Sequence, residues 1–266
     1  MTSEQIITSL HNPRIMNVAR LRDKKGRDSR KLMIIDGYRA INLALNNGLA
    51  LQELFYCEKF FKSRGERILI ARAQEKGARV FHLTEKVFAR IAYGDNAEGI
   101  LAVAAQVKKN LADLPKGKSA LYLILESLEK PGNLGAILRT SDAAGVTGVI
   151  VCRGQTDIYN PNVIRSSLGA FFSVSLVESS VSAAISWLKE HHIQILAATP
   201  QAKVEHTQID YTKPYAIVLG SEDKGVSPVW LDAADFKIKI PMQGQVDSLN
   251  VSTAAAIILY EALRQR

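Results

Sequence analysis

Ala120 to Leu125 is an unbroken apolar run, and Val149 to Cys152 and Tyr215 to Leu219 repeat the pattern. A strand without polar alternation is stable only with both faces covered, which calls for a parallel sheet sandwiched between helices. The intervening segments carry helical spacing. Leu134, Ile137, Leu138 and Ser141 share one face of a helix ended by Gly145, and Ser179 to His191 reads as another before the strand Ile193 to Ala198. Asn160-Pro161 opens a further βα unit in which Arg165 to Ala170 leads into a strand from Phe171 to Val177, and Ser227-Pro228 starts another helix. Phe236 to Ile240 alternates as a strand and stops at Pro241, which cannot donate to a sheet ladder.

The first third has the same rhythm. Asn12-Pro13 reads as a cap and first helical residue, with Ile15, Val18, Ala19 and Leu21 forming one stripe. Strand Leu32 to Ile35, helix Asp36 to Asn47 closed by Gly48, and strand Leu51 to Cys57 follow. Next come a helix from Arg64 to Lys76, a strand near Arg79 to His82, a helix from Thr84 to Ala92 and an apolar strand from Gly99 to Val107. The whole is α/β, and a segment of about a hundred residues can bury its own core. Residues 108–118 turn polar and basic, with Pro115 and Gly117. The expected division is therefore 1–107, a linker at 108–118, and 119–266.

Lys and Arg number 34 against 26 Asp and Glu, a formal charge of +8 that favours a polyanionic partner. The excess concentrates in Arg14, Arg20, Arg22, Lys24, Lys25, Arg27, Arg30 and Lys31, opposed only by Asp23 and Asp28. Contact with an RNA backbone needs such density; the alternative is a solvated face. Cys57 and Cys152 form no CxxC, so they read as core thiols of a protein in a reducing compartment. The five histidines make no HExxH, and no apolar run reaches membrane-spanning length. The expectation is a cytoplasmic protein without metal, secretory signal or anchor.

Three loops at strand ends hold the polar chemistry. After Leu125, Asn133 reads as a helix N-cap with Gly135 and Arg139 just inside the helix, where open α/β sheets bind ligands. A guanidinium in so apolar a helix has to find a carboxylate, a phosphate or water. After Leu219 comes Gly220-Ser221-Glu222-Asp223-Lys224-Gly225, which suits either close backbone approach to a ligand or a tight turn. After Ile240 a polar stretch enters a helix through Ser248 or Asn250. That helix, Val251 to Leu263, is rich enough in Ala, Ile and Leu to be expected buried. This last loop suits a small polar ligand and an ordinary connection equally. Neither glycine pattern is a GxGxxG or a P-loop, which disfavours a dinucleotide or nucleoside triphosphate enzyme.

Asn-x-Gly-x-x-x-Arg, Gly-x-Glu-x-x-Gly and Ile-Pro-Met-x-Gly-x-x-x-Ser-Leu-Asn-Val-Ser, in that order, closely resemble the three motifs of the SpoU (TrmH) family of RNA ribose 2′-O-methyltransferases. The match spans roughly 119–266. The first third is similar to that family's L30e-like substrate-binding domain through Asn12-Pro13-Arg14-Ile15, Ile35-Asp36-Gly37-Tyr38-Arg39 and Glu98-Gly99-Ile100-Leu101. Asp36 stands where the family usually has Glu, and Ala97-Glu98 where Pro-Gln is common.

The resemblance implies a SPOUT fold with a deep trefoil knot, which nothing in periodicity or spacing shows. It implies a homodimer that binds S-adenosylmethionine in the knot through Gly220, Ile240, Met242 and Leu249, with Thr199 beside them. It makes Arg139 the essential arginine, holding RNA phosphate and polarising the 2′-hydroxyl, since a guanidinium keeps its protons at neutral pH. Asn133 would orient Arg139 or substrate, Glu222 would pair with Arg139 or position the nucleotide, and Ser248 and Asn250 would brace the cofactor loop and ribose. Arg39 and Arg165 join the basic cluster as RNA contacts. Members with this N-terminal module act mostly on ribosomal RNA, so large-subunit ribosomal RNA is the expected substrate. A transfer RNA methyltransferase and a non-catalytic RNA-binding protein on the same fold are the alternatives.

Overall fold

A computed structural model describes residues 6–93 and 98–266, which leaves Ala97 outside the described residues. In chain order the elements begin α1 (Pro13–Arg20), α2 (Lys24–Arg30), β1 (Leu32–Asp36), α3 (Tyr38–Asn46), β2 (Leu51–Tyr56), α4 (Gly65–Glu75), β3 (Arg79–His82), α5 (Glu85–Ile91) and β4 (Ile100–Ala105). They continue with β5 (Leu121–Glu126), α6 (Pro131–Ala143), β6 (Gly148–Cys152), α7 (Pro161–Ser166), β7 (Leu176–Ser179), α8 (Val181–Glu190) and β8 (Gln194–Ala198). The last are β9 (Val204–Glu205), β10 (Tyr215–Leu219), α9 (Pro228–Ala233), β11 (Phe236–Lys239) and α10 (Val251–Gln265). Contacts divide them into two compact units, one running to Val107 and taking in Asp157–Ser173, the other made of Lys108–Thr156 and Val174–Arg266.

The first unit is a four-stranded sheet in the order β1-β4-β2-β3, antiparallel except between β2 and β3. Asn12 caps α1 by accepting the Arg14 amide at 2.9 Å, and Pro13 occupies the first turn, where its missing N–H has no consequence. Ile15, Val18 and Leu21 then pack against Ile34, Phe55, Val87, Phe88 and Leu101.

Residues 157–173 belong to this unit, not to the second as the sequence boundary has it. Gly169 lies so close to α3 that a Cβ there would stand 3.1 Å from the Ala40 Cα and 2.8 Å from the Leu43 side chain. The strand expected from Phe171 is instead a 3-10 turn, Ala170–Phe172, and β7 starts only at Leu176. Leu168 and Gly169 both take positive φ, and the Ser167 hydroxyl oxygen accepts the amides of Gly169 and Phe171, so the aromatic pair is wound up rather than extended.

Arg27 is the clamp on this arrangement. With 2% of its side chain exposed, it meets the Asp157 carboxylate at 2.5 Å and donates to the carbonyl oxygens of Leu21 and Arg22 at 2.8 and 2.5 Å. The expectation that Arg27 faces RNA fails, because its donors are committed inside the fold.

In the second unit a seven-stranded sheet runs β7-β6-β5-β10-β8-β11-β9 with every described pairing parallel. The chain leaves β5 toward β6 and β7, then returns past β5 to build β8, and β10 inserts between β5 and β8. That reversal creates a crevice at the carboxyl ends of the central strands. The expected linker is not one: Leu111–Asp113 forms a capped 3-10 turn, Leu114 is buried in the core of this unit, and the Pro115 carbonyl accepts the Tyr122 hydroxyl at 2.6 Å. Helix α6 begins at Pro131 with Lys130 as N-cap, so Asn133 lies inside the first turn instead of capping it. Asn250, not Ser248, caps α10, through the Ser252 amide at 2.9 Å. One face of α10 is buried against the unit, but Tyr260 and Leu263 are exposed, contrary to an all-buried helix. No described helix is long and apolar enough to cross a membrane.

Two outcomes follow from the buried charges of the first unit. Arg27→Ala leaves the Asp157 carboxylate without its partner and should lower the unfolding free energy by about 3–5 kcal/mol in urea titration. Burial raises the Asp36 carboxyl to about 6, Glu98 adding to the rise while the Tyr93 amide, Arg165 and Arg22 oppose it. Neutral Asp36 therefore favours the folded chain, fully below about pH 4, and this contribution is lost as pH rises through about 6. Relative to Asp36→Asn, wild-type stability should fall by about 3 kcal/mol between about pH 4 and 7. A difference that does not vary with pH would exclude this titration.

Candidate active site

A cleft of about 590 Å³ opens at the carboxyl edge of β8, β10 and β11. Its walls come from the three turns that leave those strands: Thr199 to Gln201, Gly220 to Val226, and Ile240 onward to Leu249. Thr199, Gly220, Ile240, Met242 and Leu249, which the motifs nominate for cofactor, all line it, as do Glu222 and Ser248.

The turn after β10 owes its shape to its glycines. Ser221 and Gly225 exchange amide hydrogen bonds at 3.2 and 3.0 Å, which folds the chain back onto Gly220. A Cβ on Gly220 would lie 1.9 Å from the Gly225 carbonyl carbon, and Gly225 has φ +63°, so no larger residue closes this turn unstrained. The glycine pair thus forms a tight turn, and the backbone of that turn walls the cleft.

At the tip of that turn Glu222 gathers three donors. Asn133 Nδ2 donates to Oε1, Asn250 Nδ2 reaches Oε1 at 3.5 Å and Asn133 Oδ1 at 3.4 Å, and Lys130 Nζ meets Oε2 at 2.9 Å. Three loops distant in sequence thus converge on one carboxylate. Glu222 holds the Lys130 ammonium above the usual lysine range, chiefly by hydrogen bonding. Lys130 escapes a motif-based search because a lone Lys before Pro131 carries no spacing signal; only the fold brings it to Glu222.

Arg139 does not join this cluster in one chain. It is exposed, absent from the cleft wall, and makes no hydrogen bond or ion pair among the described residues. Six residues after Asn133, it lies about 9 Å farther along α6 and about 240° around it. Glu222 pairs with Lys130 and not with Arg139.

The other basic candidates divide in two. Arg20, Lys24, Lys25 and Arg39 are exposed with no ion pair among the described residues. Arg14 is held by Glu53 and stacks 4.2 Å over Phe81, Arg22 donates to the Ala92 carbonyl, Arg30 to Asn17, and Arg165 lies 3.5 Å from Asp36. Burial, then the Glu126 carboxylate, pushes the Cys152 thiol up to about 12, so it is no nucleophile. No group of three or more His, Cys, Asp or Glu among the described residues is placed to hold a metal ion.

The profile described as the SpoU rRNA Methylase family matches residues 120–260, and that of the MRM3-like substrate binding domain matches 12–102. The 23S rRNA (guanosine-2'-O-)-methyltransferase RlmB of Bordetella pertussis is 32% identical over 88% of this chain and 97% of its own. A solved RNA 2'-O ribose methyltransferase is 39% identical, with TM-score 0.86 over 98% of this chain and 99% of that one. An AdoMet-bound rRNA methyltransferase from Sinorhizobium meliloti is 29% identical, with TM-score 0.89 over 98% and 97%. With the three motif-bearing loops leaving one edge of the sheet and both halves of the chain matched, the chain belongs to the SpoU rRNA methylase family.

Proposed function

We propose that this protein transfers the methyl group of S-adenosylmethionine to a ribose 2′-hydroxyl of large-subunit ribosomal RNA, working in the cytoplasm as a homodimer whose catalytic unit carries the SPOUT knot. The observation that carries the reading is the convergence of Asn133, Glu222 and Asn250 beside a cleft walled by all five nominated cofactor residues. The cleft suits that cofactor chemically. Leu219, Ile238, Ile240 and Leu249 offer an apolar wall for a heteroaromatic base, and Glu222, Asp223 and Asp247 supply negative charge for a cationic ligand.

When bound, S-adenosylmethionine supplies a methyl carbon on a sulfonium, open to in-line attack. The residues of the chain contribute placement. Glu222 holds Asn133 and Asn250 through Oε1 and Lys130 through Oε2, and so anchors the cluster. Asn250 caps α10 and braces the cluster with the same side chain, and Ser248 lines the approach to it. Arg139 from a second copy grips the RNA phosphate next to the target ribose and polarises the hydroxyl, whose proton passes to a phosphate oxygen. Exposed Arg20, Lys24, Lys25 and Arg39 hold the RNA backbone through the substrate-binding unit.

Arg139→Ala should reduce tritium transfer from S-adenosylmethionine to 23S ribosomal RNA by on the order of 100-fold or more, with cofactor affinity within about threefold of wild type. Wild-type turnover in that variant would remove Arg139 from the mechanism. Mixing Arg139→Ala with Glu222→Ala chains should restore part of the lost activity if each site draws on two copies. Replacing Arg20, Lys24 and Lys25 by Ala should lower the slope of log RNA affinity against log salt by roughly 0.7–0.9 for each phosphate that is no longer neutralised. An unchanged slope would take RNA binding away from this cluster.

A further inference from the structure

Glu126 is the last residue of β5, has 2% of its side chain exposed, takes no part in the mechanism above and does not line the cleft. Both of its oxygens are nevertheless directed at one residue across the site. Oε2 accepts the Ser227 amide at 2.9 Å and Oε1 accepts the Ser227 hydroxyl at 2.8 Å, while Arg153 Nη1 stands 3.7 Å from Oε1. Ser227 is the N-cap residue of α9, yet its hydroxyl makes no cap hydrogen bond. The usual task of a serine there is given up for Glu126.

The geometry explains the exchange. Register sets Leu125 of β5 opposite Leu219 of β10, so Glu126 and Gly220 stand side by side where the two strands end. From Glu126 the chain runs to the helix that carries Asn133, and from Gly220 it runs through Glu222 to Ser227. Glu126 therefore ties the far end of the Glu222 loop to the strand that launches Asn133. The next residue, Ser127, has φ +55° and donates its amide to the Cys152 carbonyl at 3.0 Å, so the backbone is held in a sparsely populated conformation at this junction.

We infer that Glu126 is a positioning residue for methyl transfer. Acting through Ser227, it fixes the Glu222 loop against the Asn133 loop, so that the cleft wall and the Asn133, Glu222 and Asn250 cluster form together. This rests on the reading of the cleft as the S-adenosylmethionine site.

The test is calorimetric S-adenosylmethionine affinity with steady-state transfer to 23S ribosomal RNA, run on the full chain. Glu126→Ala and Glu126→Asp, the latter too short to reach both donors, should each raise the cofactor Kd and lower kcat/KM by about tenfold or more. Glu126→Gln should stay within about threefold, since its amide oxygen still accepts the Ser227 N–H and its NH₂ can donate to the hydroxyl. Val177→Ala, a core change on β7, should leave the Kd within about twofold and so separates positioning from general destabilisation. Should Glu126→Ala not fold, Ser227→Ala, which removes only the hydroxyl, should still weaken cofactor binding. Wild-type Kd and kcat/KM in Glu126→Asp and Ser227→Ala would overturn the inference. A wild-type chain that neither binds S-adenosylmethionine nor methylates RNA would overturn the functional reading instead.

Discussion

Leu125 and Leu219 face each other in adjacent parallel strands, and everything at the site depends on that register. In a parallel ladder all carboxyl ends lie on one edge, so the loops after β5, β8, β10 and β11 leave together and their unpaired backbone groups look the same way. Register has no tolerance here. A slip of one residue would turn the apolar set of β10 to the opposite face and move Gly220 off the position where Gly225 closes over it. The doubly covered, almost wholly buried strands make such a slip costly, so the core fixes the site without contributing a side chain to its chemistry.

Charge is sorted as well. The chain is basic overall, yet the cleft wall carries Glu222, Asp223 and Asp247, while cations crowd the first unit. On the proposed reading a polyanion and a small cationic ligand find different surfaces, and Lys130 pairs with the carboxylate that organises the cluster. Three donors meet on that carboxylate, so it holds and orients the cluster.

Local chemistry was legible in the sequence and non-local pairing was not. Asn12-Pro13 and Asn160-Pro161 start helices as their caps dictate, and the apolar runs of β5, β6 and β10 are the buried parallel strands their composition demands. The order β5-β10-β8 was not readable, because periodicity says which face is covered and nothing about which strand lies alongside. The same holds for Arg27 with Asp157, Glu222 with Asn133, and Glu126 with Ser227, each pair separated by more than eighty residues. Arg27 illustrates the cost: within a run of like charges, sequence cannot tell the one cation that a distant carboxylate draws inside. The 3-10 turn at Ala170–Phe172 fails for the opposite reason, since a single serine hydroxyl overrides the strand propensity of two phenylalanines.

Asn133 and Arg139 share α6, but a turn of about 240°, or about 120° the short way, and about 9 Å of rise send their side chains from different faces of the helix. On the proposed reading Arg139 serves a cleft on another copy. Tyr260 and Leu263 are exposed apolar positions on α10, the helix that packs against α6, and the proposed second copy would have such side chains to cover.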